Sequence, residues 1–282
     1  MCLIAFAWNA HPHYAVALIA NRDEFHARPA APAAWQSDDS SVIGGVDLQA
    51  GGSWLQVSRR GRLAAVTNYR DGLNPPPTQR SRGTLVVDFV RSKHAAAEFA
   101  LANASTGYAI GRHTLLTWDG SSLWQSGNYP AAHAAAIAPG LHVLSNADLD
   151  APWPKSQRVQ MALARWLQVD AAKSDQAKSD QAQSDQAKSD QAKSDQASLE
   201  PLFAILADAT QAADPELPCT GIPIEWERRL SSAFIRGSEY GTRCSTVILI
   251  SHSGEMTFEE RRFGPQGVAA GATRWRGGRL RE

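Results

Sequence analysis

An α+β fold built on antiparallel sheet is what this sequence predicts, and three observations carry it. Apolar runs broken by short turns rich in Gly, Asn, Asp and Pro recur near both ends, and helix-period patterns fill much of the space between. The third is size: 282 residues with 43% hydrophobic content can bury a substantial core. One domain spanning 1–282 is expected.

The elements follow in order. CLIAFAW at 2–8 and YAVALIA at 14–20 form a hairpin across Asn9–His13, and SWLQVS pairs with RLAAVTN across Arg59–Gly61. A helical region follows Ser81-Arg82-Gly83 through Leu85, Val86 and Phe89, then Ala95–Leu101. LLTW pairs with LWQS across Asp119–Ser122, and GLHVLS at 140–145 adds a strand. Val159, Leu163, Trp166 and Leu167 mark a helix over Lys155–Asp170, and Leu202, Ile205 and Leu206 another over Ser198–Thr210. STVILIS and EMTFEE close the series across His252–Gly254. The basic end, Arg274, Arg276, Arg279 and Arg281, reads as a loose, solvated tail.

Between the two long helical patterns, five SDQA-containing pentapeptides occupy 173–197. On a helix a five-residue period turns successive alanines about 140° apart, so no apolar stripe forms. A solvated, low-complexity linker is expected there.

Composition excludes several functions. Twenty-eight basic and twenty-eight acidic residues cancel, so nothing global draws the chain to nucleic acid or an anionic membrane. Three irregularly spaced cysteines argue against a disulfide framework and for a reducing, cytoplasmic location. The apolar start ends at Trp8, too short for a signal sequence or an integral membrane segment.

The first hairpin gathers chemistry. If Trp8 opposes Tyr14, pair numbers sum to about 22, Cys2 faces Ala20, and Asn21-Arg22-Asp23-Glu24 emerges beside the N-terminus. A small second residue permits removal of Met1, giving Cys2 a free α-amino group, pKa about 7.7–8, next to its thiol. Arg22 favours the thiolate, and Asp23 either accepts hydrogen bonds from the ammonium or holds the arginine in place. The plainer alternative is a small buried hydrophobe beside a polar strand exit. His11 and His13 sit at the far end, as turn residues.

Further candidates lie downstream. Asn68 ends a strand and Asn146 follows one, so each is either a turn former or an amide donor to an oxyanion. Arg243 reads either as a surface ion pair or as a guanidinium at the site mouth, binding a carboxylate or phosphate. Cys244 is expected to pack as an apolar residue, and Cys219 lies in a loop. Trp54 or Trp226 could wall an apolar pocket.

These stretches resemble a known family. MC at the start, ANRDEF at 20–25, GGSWLQVSRRGRLAAVTNYRD at 51–71, RSRG at 80–83, LHVLSNADLDAPWPKSQR at 141–158, LPCTGIPIEWERRLSSAFI at 217–235 and YGTRCSTVILI at 240–250 resemble the blocks of the NRDE family, also called the transport-and-Golgi-organisation family. Gln56 departs from the pattern, and the SDQA insert has no counterpart.

The resemblance implies a four-layer αββα sandwich like that of the N-terminal-nucleophile hydrolases, especially bile-salt hydrolase and penicillin V acylase. It implies Cys2 as nucleophile, Arg22 and Asp23 as partners, Asn68 or Asn146 at the oxyanion, and Arg243 as a later arginine. Those acylases separate their Arg and Asp, whereas Arg22 and Asp23 are adjacent and on a strand would face opposite ways. A strand exit at Asn21 is expected to remove the conflict.

Two functions of different class follow. One is a cysteine N-terminal-nucleophile hydrolase cleaving a non-peptide C–N bond in an apolar or acyl amide, with no cofactor required. The other is a non-catalytic carrier on the same scaffold, for haem or for an acyl lipid or acyl-coenzyme A. Cys2 or one of the eight histidines is the candidate axial ligand for haem. Either way the expected partner is a small apolar or amphipathic ligand.

Overall fold

A computed structural model describes residues 2–72, 79–105, 109–181 and 199–279, with backbone alone at 173–181 and 279. Two antiparallel sheets form its centre. The first has the order β10 (Gly140–Leu144), β1 (Cys2–Trp8), β2 (Tyr14–Phe25), β11 (Tyr240–Ser251), β12 (Glu255–Phe263) and β13 (Ala269–Arg279). The second is a meander of β3 (Ala30–Trp35), β4 (Val42–Asp47), β5 (Leu55–Ser58), β6 (Arg62–Asn68), β7 (His113–Trp118), β8 (Leu123–Gly127) and β9 (His133–Ala136).

β1 shows how the layers arise. Its even residues Ile4, Phe6 and Trp8 pack between the sheets with Leu18, Ile43, Leu55 and Leu116. Its odd residues Leu3, Ala5 and Ala7 meet Val159, Leu163, Leu202 and Leu206 on α3 (Pro154–Gln181) and α4 (Glu200–Leu206). A strand covered on both faces carries no polar alternation, which explains the unbroken CLIAFAW. Across the sandwich, Ala64, Val66 and Leu115 pack against Leu85, Val86 and Phe89 of α1 (Gly83–Arg91) and Ala96 of α2 (Ala96–Ala104). The order helix, sheet, sheet, helix is the αββα sandwich expected.

Three expectations are corrected. The β1–β2 register sums to 24, placing Cys2 opposite Arg22 and Trp8 opposite Val16. A two-residue shift keeps every side chain on its face, so apolar pattern alone cannot distinguish the two registers. The turn decides: Asn9 adopts φ 45° and its N–H donates to Ala15 O, while Tyr14 pairs with Ser251 instead.

The second correction concerns β2, which does not exit at Asn21 but runs to Phe25, because β11 pairs with it as far as Tyr240↔Phe25. The third is the basic tail. Arg274 and Arg276 belong to β13, where Arg274 pairs with the buried Glu259 and Trp275 packs edge-on against Trp35.

The α3 backbone continues beyond Asp170 to Gln181, and most of the SDQA linker expectation, like Arg281, lies outside the described residues. Among the described residues no helix is long and apolar enough to cross a membrane.

A buried ion pair fastens the loops at the Cys2 end. Arg70, just after β6, donates through Nη1 to Glu227 Oε2 at 2.7 Å, with both side chains almost fully buried. Glu227 sits on α5 (Ile224–Leu230) and also accepts from the Thr220 N–H and hydroxyl. Arg70 stacks on Trp153, and its N–H donates to Asn146 O at 2.7 Å. Removing one partner leaves an uncompensated buried charge. Glu227→Gln is therefore expected to destabilise by about 3–5 kcal/mol in denaturant unfolding. Arg70→Met combined with Glu227→Leu should lose less than the two single losses together.

Candidate active site

Cys2, half-buried at the first position of β1, lines a cavity of about 420 Å³ between the ends of the two sheets. Its cross-strand neighbour Arg22 is buried and lines the same cavity. The Arg22 guanidinium lies 4.4 Å from the Trp54 ring centroid and 3.6 Å from Asp47 Oδ2. Trp54 reaches that position because residue 45 is glycine. A Cβ there would come within 2.2 Å of the indole. Of the two tryptophans singled out, Trp54 lines the cavity, whereas Trp226 packs edge-on against Tyr240.

Asn21 and Asp23 point the other way along β2, as alternation requires. The Asn21 amide donates to Leu206 O and Ala233 O, both at 2.8 Å, and accepts from the Ser245 hydroxyl at 2.6 Å. Asp23 Oδ1 accepts from the Thr242 hydroxyl at 2.6 Å, and Thr242 in turn accepts from the Ile235 N–H. Asp23 nonetheless borders the Cys2 cavity, because β1 has just begun there. Burial pushes the Asp23 carboxyl up, against the pull of Lys155.

Arg243 occupies a β-bulge: Thr242 pairs with Asp23 and Cys244 with Arg22, leaving Arg243 as the extra residue. Its guanidinium donates to the carbonyls of Phe25 and Arg28 at 2.8 and 3.0 Å, clamping the turn after β2. It is not among the cavity-lining residues.

The two asparagines meet. Asn146 is fully buried, and its Nδ2 donates to both Asn68 O and Asn68 Oδ1 at 2.9 Å. Extending the β1–β10 register, Ile4↔Leu144, brings residue 146 level with Cys2, and the neighbouring Ser145 hydroxyl donates to Cys2 O at 3.2 Å. Asn68 itself lines the cavity. Asn68 Oδ1 is thus engaged by Asn146.

Burial pushes the Cys2 thiol up, Asp23 adds to the rise and Arg22 opposes it. Cys244 is buried, with its thiol pushed well above the ordinary range by burial, and Cys219 is exposed. Cys2 alone of the three lines the cavity.

Two cations were not singled out from sequence. Lys155, in the first turn of α3, is 1% exposed, and its Nζ makes no hydrogen bond among the described residues. Burial, reinforced by Arg70, lowers its pKa to about 8, while Asp23 and Cys2 pull it upward. Arg82 stands at the N-cap of α1 and lines the cavity. Cations at helix starts oppose the macrodipole, and that anomaly was the signal available in the sequence.

The Transport and Golgi organisation 2 family model matches residues 1–265. A Transport and Golgi organization protein 2 homolog of Bos taurus is 31% identical over 294 residues, covering 98% of this chain and 96% of its own length. The Mus musculus homolog is 32% identical, covering 93% and 92%. Among solved structures, the C2A mutant of conjugated bile acid hydrolase from Clostridium perfringens is similar at TM-score 0.40 and 9% identity, covering 92% of this chain and 88% of that one. A Caenorhabditis elegans N-acylethanolamine-hydrolyzing acid amidase ortholog is similar at TM-score 0.40 and 11% identity, covering 58% and 79%. With a match running from the first residue through β12, the chain belongs to the Transport and Golgi organisation 2 family.

Proposed function

We propose that this protein is a cysteine hydrolase of the N-terminal-nucleophile type, acting on the C–N bond of a non-peptide amide. The observation that carries the reading is the shared cavity: Cys2, its cross-strand partner Arg22 and Asn68 all line it.

Burial favours the neutral thiol, so attack needs a base. Once Met1 is removed, the α-amino group of Cys2 serves, a few bonds from Sγ. The thiol proton moves to that amine as Sγ bonds the carbonyl carbon. Asn68 donates to the resulting oxyanion, while Asn146 holds Asn68 in place. Collapse breaks the C–N bond, the ammonium proton leaves with the amine, and water then cleaves the thioester. Arg22 stabilises developing negative charge on sulfur, and Asp23 holds the ammonium from the helix-facing side. Arg243 acts at one remove in this reading, by fixing the bulge that sets Thr242 against Asp23.

The carrier reading would use the same cavity without chemistry. Its lining does not fit a porphyrin: five arginines and three carboxyl side chains dominate it, with Ala50, Trp54 and Val66 as its main apolar surfaces. A thiol kept neutral by burial is also a poor haem ligand.

The intact mass of purified protein is expected to lack Met1, and iodoacetamide to modify Cys2 ahead of Cys219 and Cys244. Active protein that retains Met1 sinks the hydrolase reading. Against a panel of N-acyl amides, Cys2→Ala should abolish turnover, and Asn68→Ala should lower kcat about 10²–10³-fold.

Lys155 supplies a pH test. Because its pKa falls from the ordinary 10.5 to about 8 on folding, the folded protein binds fewer protons than the unfolded chain between those values. Its contribution to stability therefore rises from pH 8 to pH 10.5, by on the order of 3 kcal/mol. Lys155→Met should lack that rise. A difference between wild type and variant that stays constant with pH would exclude a depressed lysine.

A further inference from the structure

Five arginines and three carboxyl side chains line the cavity around Cys2, and the arginines differ in how they are paired. Arg22 and Arg28 share Asp47, at 3.6 and 2.8 Å, and Arg28 also faces Glu24 at 3.9 Å. Asp47 also accepts the N–H groups of Gln49 and Ala50, so its oxygens are heavily committed. Arg80 pairs with Asp88, and Arg112 with Asp71, both carboxylates from outside the lining. The Arg82 side chain, half-buried, makes no hydrogen bond or ion pair among the described residues.

A guanidinium partly removed from water and held by no direct ion pair, with Glu24 and Asp47 acting on it only from a distance, is an unfavourable arrangement. Here the fold maintains it. Gly52, at φ +80°, approaches α1 so closely that a Cβ on it would lie 2.3 Å from the Gly83 carbonyl carbon. The Ser53 N–H donates to Gly83 O at 3.0 Å, locking the loop before β5 to the residue after Arg82. The first turn of α1 also holds no acidic residue, so the positive end of its dipole adds to the guanidinium rather than being offset.

We infer that this cavity binds a ligand bearing an oxyanion, a carboxylate or phosphate, and that Arg82 is the residue that grips it. A planar fork suits either group through two parallel N–H···O bonds. The role of gripping an anion, which the sequence offered to Arg243, passes to Arg82, since Arg243 is occupied by the carbonyls of Phe25 and Arg28. Combined with the proposed hydrolase, on which this part rests, the substrate class becomes an amide whose acyl or amine portion ends in an anion.

The test separates binding from turnover. Full-length Cys2→Ala protein is titrated calorimetrically with N-acetylglycine, with its neutral analogue N-acetylglycinamide, and with inorganic phosphate. At low salt the anions should bind at least about tenfold more tightly than the neutral amide, and the tighter of the two identifies the group. Arg82→Gln should bring acid and amide within about twofold, Arg82→Lys should retain part of the preference, and Arg80→Gln should retain it all. Equal binding of acid and amide, absence of saturable binding by every probe, or full discrimination in Arg82→Gln overturns the inference. If Cys2 proves inert in the intact protein while anion selectivity persists, the hydrolase reading falls and the subsite stands. Turnover without anion selectivity sinks the subsite alone.

Discussion

Three consecutive polar side chains, Asn21, Arg22 and Asp23, are buried at the centre of a six-stranded sheet, and the Cys2 end of the molecule is organised around satisfying them. Buried polar groups are tolerated only when paired. Each of the three recruits a different part of the chain. Asn21 takes the last carbonyl of α4, the carbonyl of Ala233 and the hydroxyl of Ser245. Asp23 takes Thr242, and Arg22 takes Asp47 and the face of Trp54. β2 is thereby joined to the helix layer on one side and the second sheet on the other. The β11 bulge follows from the same need, since it sets Thr242 beside Asp23 while returning Cys244 to register with Arg22.

That arrangement also determines what surrounds the cavity. Trp54 can cover Arg22 only because Gly45 leaves room, and the loop carrying Trp54 is tied through Ser53 to the start of α1. The same tie sets Arg82 at the cavity wall. On the opposite side, Arg70 links Asn146 to Glu227, and Asn146 fixes the amide of Asn68. Asn68, at the end of β6, and Arg82, at the start of α1, thus border the Cys2 cavity from the second sheet's side, while Arg22 borders it from the first sheet.

Much of this was legible in sequence, for identifiable reasons. Unbroken runs such as CLIAFAW and STVILIS announce strands covered on both faces, and their short turns fix which runs pair. Hairpin logic brought Cys2, Arg22 and Asp23 together, resemblance singled out Asn68 beside them, and all four line the cavity. The register was not legible, because sums of 22 and 24 bury the same faces and only the left-handed Asn9 separates them. The basic tail was misread because charge alone suggested solvent, whereas Arg274 finds the buried Glu259 from a strand far along the chain. Lys155 and Arg82 escaped notice for a related reason: a cation at a helix start hints at something unusual, but burial without a direct side-chain partner shows only in the fold.

The adjacency of Arg22 and Asp23 remains the sharpest constraint on mechanism. On an interior stretch of strand, opposite faces would separate the two groups by the thickness of the sheet, and one nucleophile could not use both. Cys2 escapes that restriction by standing where β1 begins. Its side chain follows the strand alternation, with Ile4 and Phe6, onto the face that Arg22 shares. In the proposed reading its backbone nitrogen, freed by loss of Met1, is not bound to that face and can turn toward Asp23. One residue then presents its thiol to a guanidinium on one face and its amine to a carboxyl on the other. Adjacent Arg and Asp suit a terminal nucleophile, and the same pair would be useless to a cysteine two residues further into the strand.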